Sequence, residues 1–485
     1  MNNKQPKIRF KNLIAYGIGD IYGGGAFLVL GTLYLYFLTD IVGLPPGKAG
    51  LVLIIGKVWD AISDPLMGHI SDNTNTRLGR RRIYFLLGII PVALSFSLLW
   101  YPGSFSSLNM TFIYYLIAYI FFSTIFTMVM VPYTALNAEM TEDYQERTKL
   151  STYRMFFSQI SALIAGSLPR LMVDFFANIN KFSHLEGQKL GFFVMGIVFG
   201  VLYSLPWIIV YKGTWELQSI PSQSDKNIVD KIKSYKTVFY NKSFRIQLAM
   251  YIAAYVAMDF LMALFVYFLD YYLQKPGLFP YSMFAILASQ IIMLPFYLKL
   301  SNKKGKAYAY IIGLTIWGAG MLSLLLLSTS TPAWLILFVC AVIGSGLSAG
   351  VMIPWAILPS ITDVDEVITL KKRTGIYSGL MTLFRKMAQA IAMWSVGFIL
   401  SIIGYTPNQP QNPETLMYLK LLFVLIPIIL ILIGIYAALK FKITPEKHQK
   451  LIEEIERLRK GGKKRNVEKR TKELCEELSG ISYFS

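Results

Sequence analysis

Cysteine is almost missing: Cys340 lies in an apolar run and Cys475 near the C-terminus, two in 485 residues. That excludes a disulfide framework and a thiolate metal site. Histidine is nearly as scarce. His69, His184 and His448 form no metal-spaced pair, and neither His-Glu-x-x-His nor a phosphate-cradling Gly-Lys-Ser/Thr occurs. Nothing here supports catalysis or nucleotide-driven pumping, so the chain is not read as an enzyme. Charge is short too, at 15% of residues against 54% hydrophobic, where a soluble domain carries about 25% charged. Most of the surface must therefore face lipid or other apolar helices. A net charge of +19 suggests nucleic acid at first sight, but the Lys and Arg residues fall between apolar runs and in the tail, where they report topology. No cleavable signal is seen, since the polar stretch to Lys11 leads into an apolar segment too long for one.

What is present is a series of apolar runs of about 20 residues, the length that spans a roughly 30 Å hydrocarbon core. They fall at Leu13–Ile41, Gly50–Ile70, Ile83–Tyr101, Met110–Ala138, Thr152–Phe176, Gly191–Tyr211, Phe244–Leu273, Tyr281–Leu300, Ala307–Leu327, Ala333–Leu358, Ile376–Ile403 and Met417–Ala438. The expectation is an all-α integral membrane protein with about twelve transmembrane helices.

Charge in the connections checks that count. Alternate connections hold Arg77 with Arg80 to Arg82, then Arg147 and Lys149, then Lys226, Lys231, Lys233 and Lys236, then Lys303, Lys304 and Lys306, then Lys371 to Arg373. The intervening connections at 101–109, 328–332 and 404–414 have no Lys or Arg. By the positive-inside rule both termini lie in the cytoplasm, in a cell (inner) membrane.

The long polar stretch at 212–242 divides the spans into two sets of six, each with a basic loop after its second span. The organisation expected is a cytoplasmic N-terminus at 1–12, a six-helix bundle at 13–211, a cytoplasmic loop at 212–242, a second six-helix bundle at 243–441 and a basic cytoplasmic tail at 442–485. Two such bundles are the architecture of major facilitator transporters, whose substrate site lies between the halves. In the tail, Leu451, Ile455 and Leu458 recur at helical spacing among charges. Two readings stand: a short amphipathic helix resting on the membrane or the loops, or a solvated tail.

Asp60 and Asp64 sit one helical turn apart in the second apolar run. A carboxylate at the bilayer centre costs roughly 2.5 to 3.5 kcal/mol, so two on one face call for a cation, a wet cavity or a use. With Ser63 they offer hard oxygen ligands suited to an alkali cation, or to a proton if burial raises a carboxylate pKa. Neutralisation of Asp60 by Lys57 is the plainer reading, but it leaves Asp64 unexplained.

Here the motifs become specific. Trp59-Asp-Ala-Ile-Ser-Asp-Pro-Leu-Met-Gly68, Ser71-Asp72 and Arg77-Leu-Gly-Arg-Arg-Arg82 resemble the second span and following loop of the glycoside–pentoside–hexuronide:cation symporters, the melibiose permease-like family. Tyr16-Gly-Ile-Gly-Asp20, Tyr36 to Gly43, Val131-Pro-Tyr-Thr-Ala-Leu136 and Glu146-Arg-Thr148 are similar as well. The resemblance implies that Asp60, Asp64, Ser63 and Thr127 bind the cation. It implies that Arg154 contributes to sugar binding and that Lys386 lies near the cation site; pairing between helices is the alternative for both. The family's sugar-binding aspartates are replaced by Gly24 and Met130, which argues against galactoside recognition of the melibiose permease kind. Asp20, one turn earlier, is the candidate replacement carboxylate, and Tyr133 a candidate for stacking on a pyranose ring. Helix packing is the competing reading for Asp20, as it is for the run Gly23-Gly24-Gly25, which otherwise makes room for ligand.

Charge pairs are expected to close the cytoplasmic side: Asp72 with the run Arg80, Arg81 and Arg82, Glu142 with Arg147, and the acids of Asp363-Val-Asp-Glu366 with Lys371-Lys-Arg373 in a loop after the tenth span. Their formation and rupture would shift the balance of conformations. The expected activity is cation-coupled symport of a sugar, glycoside or hexuronide, with lysolipid symport, known from a related branch, as the alternative. The partners implied are a small-molecule substrate, a monovalent cation (sodium or proton) and the bilayer, with no nucleic acid, no cofactor beyond the coupling cation, and a monomeric state.

Overall fold

The computed structural model describes residues 8–141, 143–179, 183–217, 237–371 and 373–484, and among these the regular structure is helical throughout. Its helices are α1 (Phe10–Gly17), α2 (Asp20–Val29), α3 (Pro46–Asn73), α4 (Ile83–Leu99), α5 (Leu108–Met140), α6 (Tyr144–Ala177), α7 (His184–Ser204) and α8 (Pro206–Gly213). They continue with α9 (Lys242–Tyr267), α10 (Phe279–Lys304), α11 (Lys306–Ser323), α12 (Ala333–Thr369), α13 (Thr374–Ile402), α14 (Pro413–Leu439), α15 (Pro445–Arg459) and α16 (Lys469–Ser479). Proline opens α3, α8, α14 and α15, where its missing N–H costs nothing. Gly305, at φ +94, makes the abrupt turn from α10 into α11 that a side chain would strain.

Ten helical segments among the described residues are long and apolar enough to cross a bilayer. Two more helices occupy the places of the second and third expected spans. One is α3, made polar by Lys48, Lys57, Asp60, Asp64 and Asp72, and the other is α4, of 17 residues. Among the described residues three π-helical turns interrupt the pattern, at Leu30–Tyr34, Phe37–Ile41 and Phe268–Tyr272. Such turns often mark functional positions.

The chain forms two compact units. The first comprises Met1–Ser222, Met262–Leu287 and Ala390–Lys420, and the second Gln223–Leu261, Ala288–Gln389 and Leu421–Ser485. In the first, α2 packs on α6, α3 on α5, and α4 on both α5 and α7. Its core is aromatic: Trp100 lies parallel to Phe192 at 5.6 Å and edge-on to Tyr34, while Trp207 stacks on Phe85 at 5.5 Å. Close approach depends on glycine. A Cβ at Gly24 would fall 2.5 Å from the Ser158 carbonyl oxygen, and methyls at Gly25 and Gly23 would overlap Ser161 and Met130. The Gly23 to Gly25 run is therefore a packing surface for α5, α6 and α7. In the second unit, α11 and α12 meet where Gly313 and Gly346 face each other.

One boundary differs from the sequence expectation. Asp363, Asp365 and Glu366 belong to α12 rather than to a loop, because Ile361, Val364, Val367 and Ile368 keep a buried stripe at helical spacing beyond the apolar run. The tail is structured as well: α15 and α16 dock on α12, burying Leu451, Ile455 and Leu478.

Candidate functional site

The residues Asp60, Ser63, Asp64 and Thr127 meet between α3 and α5. Gly56 lets the Tyr119 ring lie directly on α3 one turn before Asp60, since any side chain there would overlap it. Trp59 Nε1 donates to Thr124 Oγ1 at 2.8 Å and fixes the register of the two helices. In that register Thr127 Oγ1 stands 2.9 Å from Asp64 Oδ1 and 3.4 Å from Asp60 Oδ1, and Ser63 Oγ is 3.1 Å from Thr127 Oγ1. Asp60, Ser63 and Thr127 are buried, Asp64 partly so. Two hydroxyl groups carry two hydrogens between two carboxylates, so the set is rich in lone pairs and poor in donors. That is the composition a hard monovalent cation requires, and it also suits a proton shared between the acids. Lys57 is buried in the same helix, with its ammonium 3.3 Å from the centre of the Phe27 ring.

A second cluster lies at the break between α1 and α2. Asp20 opens α2 and pairs with Arg154 of α6 at 3.7 Å. Tyr133 of α5 stacks on Tyr16 at 4.8 Å and donates to the Tyr16 carbonyl at 2.7 Å, where the helix is interrupted. Its ring is fully buried between Tyr16 and Trp207, so the structure uses Tyr133 to hold the break. Lys386 belongs to the second unit, on α13 beside Arg385.

The basic-loop end of the first unit is a knot of charge. Arg81 reaches Asp72 at 2.6 Å, as the sequence leads one to expect, but Glu139 takes Arg80 and Arg81 together, at 2.5 and 2.6 Å. Glu216 accepts the backbone N–H groups of Arg80, Arg81 and Arg82 at 2.7 to 2.9 Å. Arg147 donates to the carbonyls of Thr141 and Ala138 at the end of α5. Its expected partner Glu142 lies outside the described residues. In the second unit Arg373 pairs with Asp365 at 2.5 Å, while Asp363 meets His448 of the tail at 2.9 Å. Helical continuation through Thr369 is what turns Asp365 toward Arg373.

Three buried polar groups were not anticipated. At the opposite end of the first unit, Asp40 accepts from Thr39, Tyr271 and Tyr405, and Asn408 donates to the Asp40 carbonyl. Nearby in sequence to Tyr271, Asp270 receives Arg170 at 2.9 Å, and Arg170 also holds Asp174. In the second unit Arg385 makes a two-pronged pair with Asp259 at 2.6 and 2.8 Å, with Gln389 as a further donor. The rule that singled out Asp60, a charge inside an apolar run, applies equally to Asp40, Arg170, Asp259 and Arg385.

A family model described as MFS/sugar transport protein matches residues 15–445. The chain belongs to that family, the glycoside–pentoside–hexuronide:cation symporters. It is 25% identical to the glucuronide carrier protein homolog of Escherichia coli, over 94% of this chain and 97% of that protein. It is 24% identical to sodium-dependent lysophosphatidylcholine symporter 1 of Xenopus tropicalis, over 91% of this chain and 89% of that one. The crystal structure of a D-xylose-proton symporter shares the fold at TM-score 0.60 and 14% identity, covering 87% of this chain and 97% of that chain. The protein is thus a multi-pass membrane transporter with the major facilitator fold.

Proposed function

We propose that this symporter couples entry of a sugar, glycoside or hexuronide to a monovalent cation held by Asp60, Asp64, Ser63 and Thr127. The observation that carries the reading is Thr127 within hydrogen-bonding reach of both carboxylates. The two acids of α3 share one hydroxyl of α5, and a cation bound among these oxygens holds α3 and α5 together. A ligand shifts a conformational balance only by its differential affinity for the two states, and this cation would favour the state in which the four oxygens converge. Asp20 and Arg154 form the polar contact to substrate, with Tyr133 supporting the helix break behind them. Asp20 accepts from sugar hydroxyls, and Arg154 suits either hydroxyl oxygens or a substrate carboxylate.

The protein resides in the inner membrane with both termini cytoplasmic, works as a monomer, and uses sodium or a proton as the coupling ion. The test is uptake into proteoliposomes across a panel of mono- and disaccharides, glucuronides and pentosides, with and without a sodium gradient. Uptake in the Asp60→Asn protein that keeps its full cation dependence would remove the site assignment. The similarity to a lysophosphatidylcholine symporter favours a second reading, lysolipid as substrate; sodium-dependent uptake of lysophosphatidylcholine and of no saccharide would establish it instead.

A further inference from the structure

The second unit has a groove of about 690 Å³ between α9 and α14 whose two ends differ in chemistry. One end carries Lys242, Arg245, Lys440 and Lys442; the other is walled by apolar surface including Ile433 and Tyr436. Lys442 is engaged by Glu477 at 2.7 Å, and Lys440 sits over the Tyr436 ring at 4.2 Å. Lys242 and Arg245 are exposed, one turn apart on α9, and form no ion pair among the described residues. No acid lines the groove itself.

The apolar wall does not stop at the groove. Leu425, Ile429, Ile433 and Tyr436 are 41 to 59% exposed and recur along one face of α14. From Leu425 to Tyr436 this stripe runs about 16 Å at helical rise. That is half of a roughly 30 Å hydrocarbon core, the depth of one leaflet. A free anion would use the cations and leave the stripe bare; an uncharged lipid would use the stripe and leave the cations bare.

We infer that this groove binds an anionic phospholipid, its phosphate held by Lys242, Arg245 and Lys440 and one acyl chain lying along Ile433, Ile429 and Leu425. Basic pockets between membrane helices select acidic head groups by charge attraction, while the chain gains ordinary apolar contact. The site is separate from the oxygen cluster of α3 and α5. It belongs to the end of the second unit that carries Lys303 and Lys304.

The experiment is native mass spectrometry of the full-length protein in detergent, delipidated and then titrated with phosphatidylglycerol or phosphatidylcholine. The expected result is retention of phosphatidylglycerol over phosphatidylcholine by about tenfold, and loss of that preference in the K242Q/R245Q/K440Q protein. K303Q/K304Q removes the same kind of charge from another part of the same end and should leave the preference intact. Should the triple variant fail to fold, R245Q and K440Q alone should each weaken retention by about threefold. Equal retention of the two lipids, unchanged retention in the groove variants, or displacement of the lipid by millimolar inorganic phosphate would overturn the inference.

Discussion

The Tyr405 hydroxyl donates to Asp40 Oδ1 at 2.6 Å, joining the first apolar span to the segment after α13 across 365 positions of sequence. Hydrogen bonds to a charged group contribute about 1.5–3 kcal/mol each, and Asp40 also receives Thr39 and Tyr271. Tyr405→Phe should therefore loosen this end of the first unit without unfolding it. Hydrogen exchange at 267–272 and 403–408 should rise about tenfold or more; unchanged protection would show that Tyr405 contributes nothing to closure there.

At the oxygen cluster, Thr127→Ala should weaken the apparent affinity for the coupling cation by about tenfold, the cost of one charge-assisted contact. Thr127→Ser keeps the hydroxyl and should stay within a few-fold of the native value. The measurement is the sodium concentration for half-maximal uptake. A serine variant as impaired as the alanine one would point to the methyl group and packing instead.

Removing one member of the Asp259–Arg385 pair strands a buried charge. Arg385→Ala should destabilise the second unit by about 3–5 kcal/mol, whereas the joint replacement of Asp259 and Arg385 by Asn and Gln should recover much of that loss. Thermal unfolding of the three purified proteins decides it. Equal melting points for the single and double variants would mean that the pair is not coupled.

The tail should respond to acid. Hydrogen bonds from Lys442 and Lys447 hold the Glu477 carboxyl below its ordinary value of 4.5. Burial opposes the same shift at Glu454, and donors on Arg457 and Tyr483 outweigh it. A carboxylate whose pKa is lowered on folding stabilises the folded state above the unfolded-state value and loses that contribution as pH falls through the folded one. Docking of α16 should thus be full at neutral pH and weaken below about pH 4.5. Exchange of residues 469–479, corrected for the intrinsic pH dependence of the rate, should show it, with a smaller acid response in Glu477→Gln.

The helical spans were legible because the bilayer demands them: a backbone in lipid must bond to itself, and about 20 apolar residues are needed to cross. Asp60 and Asp64 were legible for the complementary reason, that charge in such a run requires an explanation. Thr127 entered only through family resemblance, since nothing local distinguishes one hydroxyl on α5 from another. Long-range partners were not legible. Arg385 finds Asp259 and Tyr405 finds Asp40 through tertiary approach, which periodicity along a single helix does not encode. Glu139 and Glu216 were missed in the same way, while the arginines they serve stood out as a cluster. Tyr133 shows the converse, an aromatic whose ring is taken up by Tyr16 and Trp207.

The three consecutive glycines of α2 carry a mechanical implication. With the Ser158 backbone in direct van der Waals contact and the Ser161 hydroxyl donating to the Ile21 carbonyl at 2.6 Å, there is no lubricating layer of side chains along which α2 and α6 can slide. The two must travel as one lever. Arg154 pairs with Asp20 at 3.7 Å, so a force applied to either residue is shared by both helices.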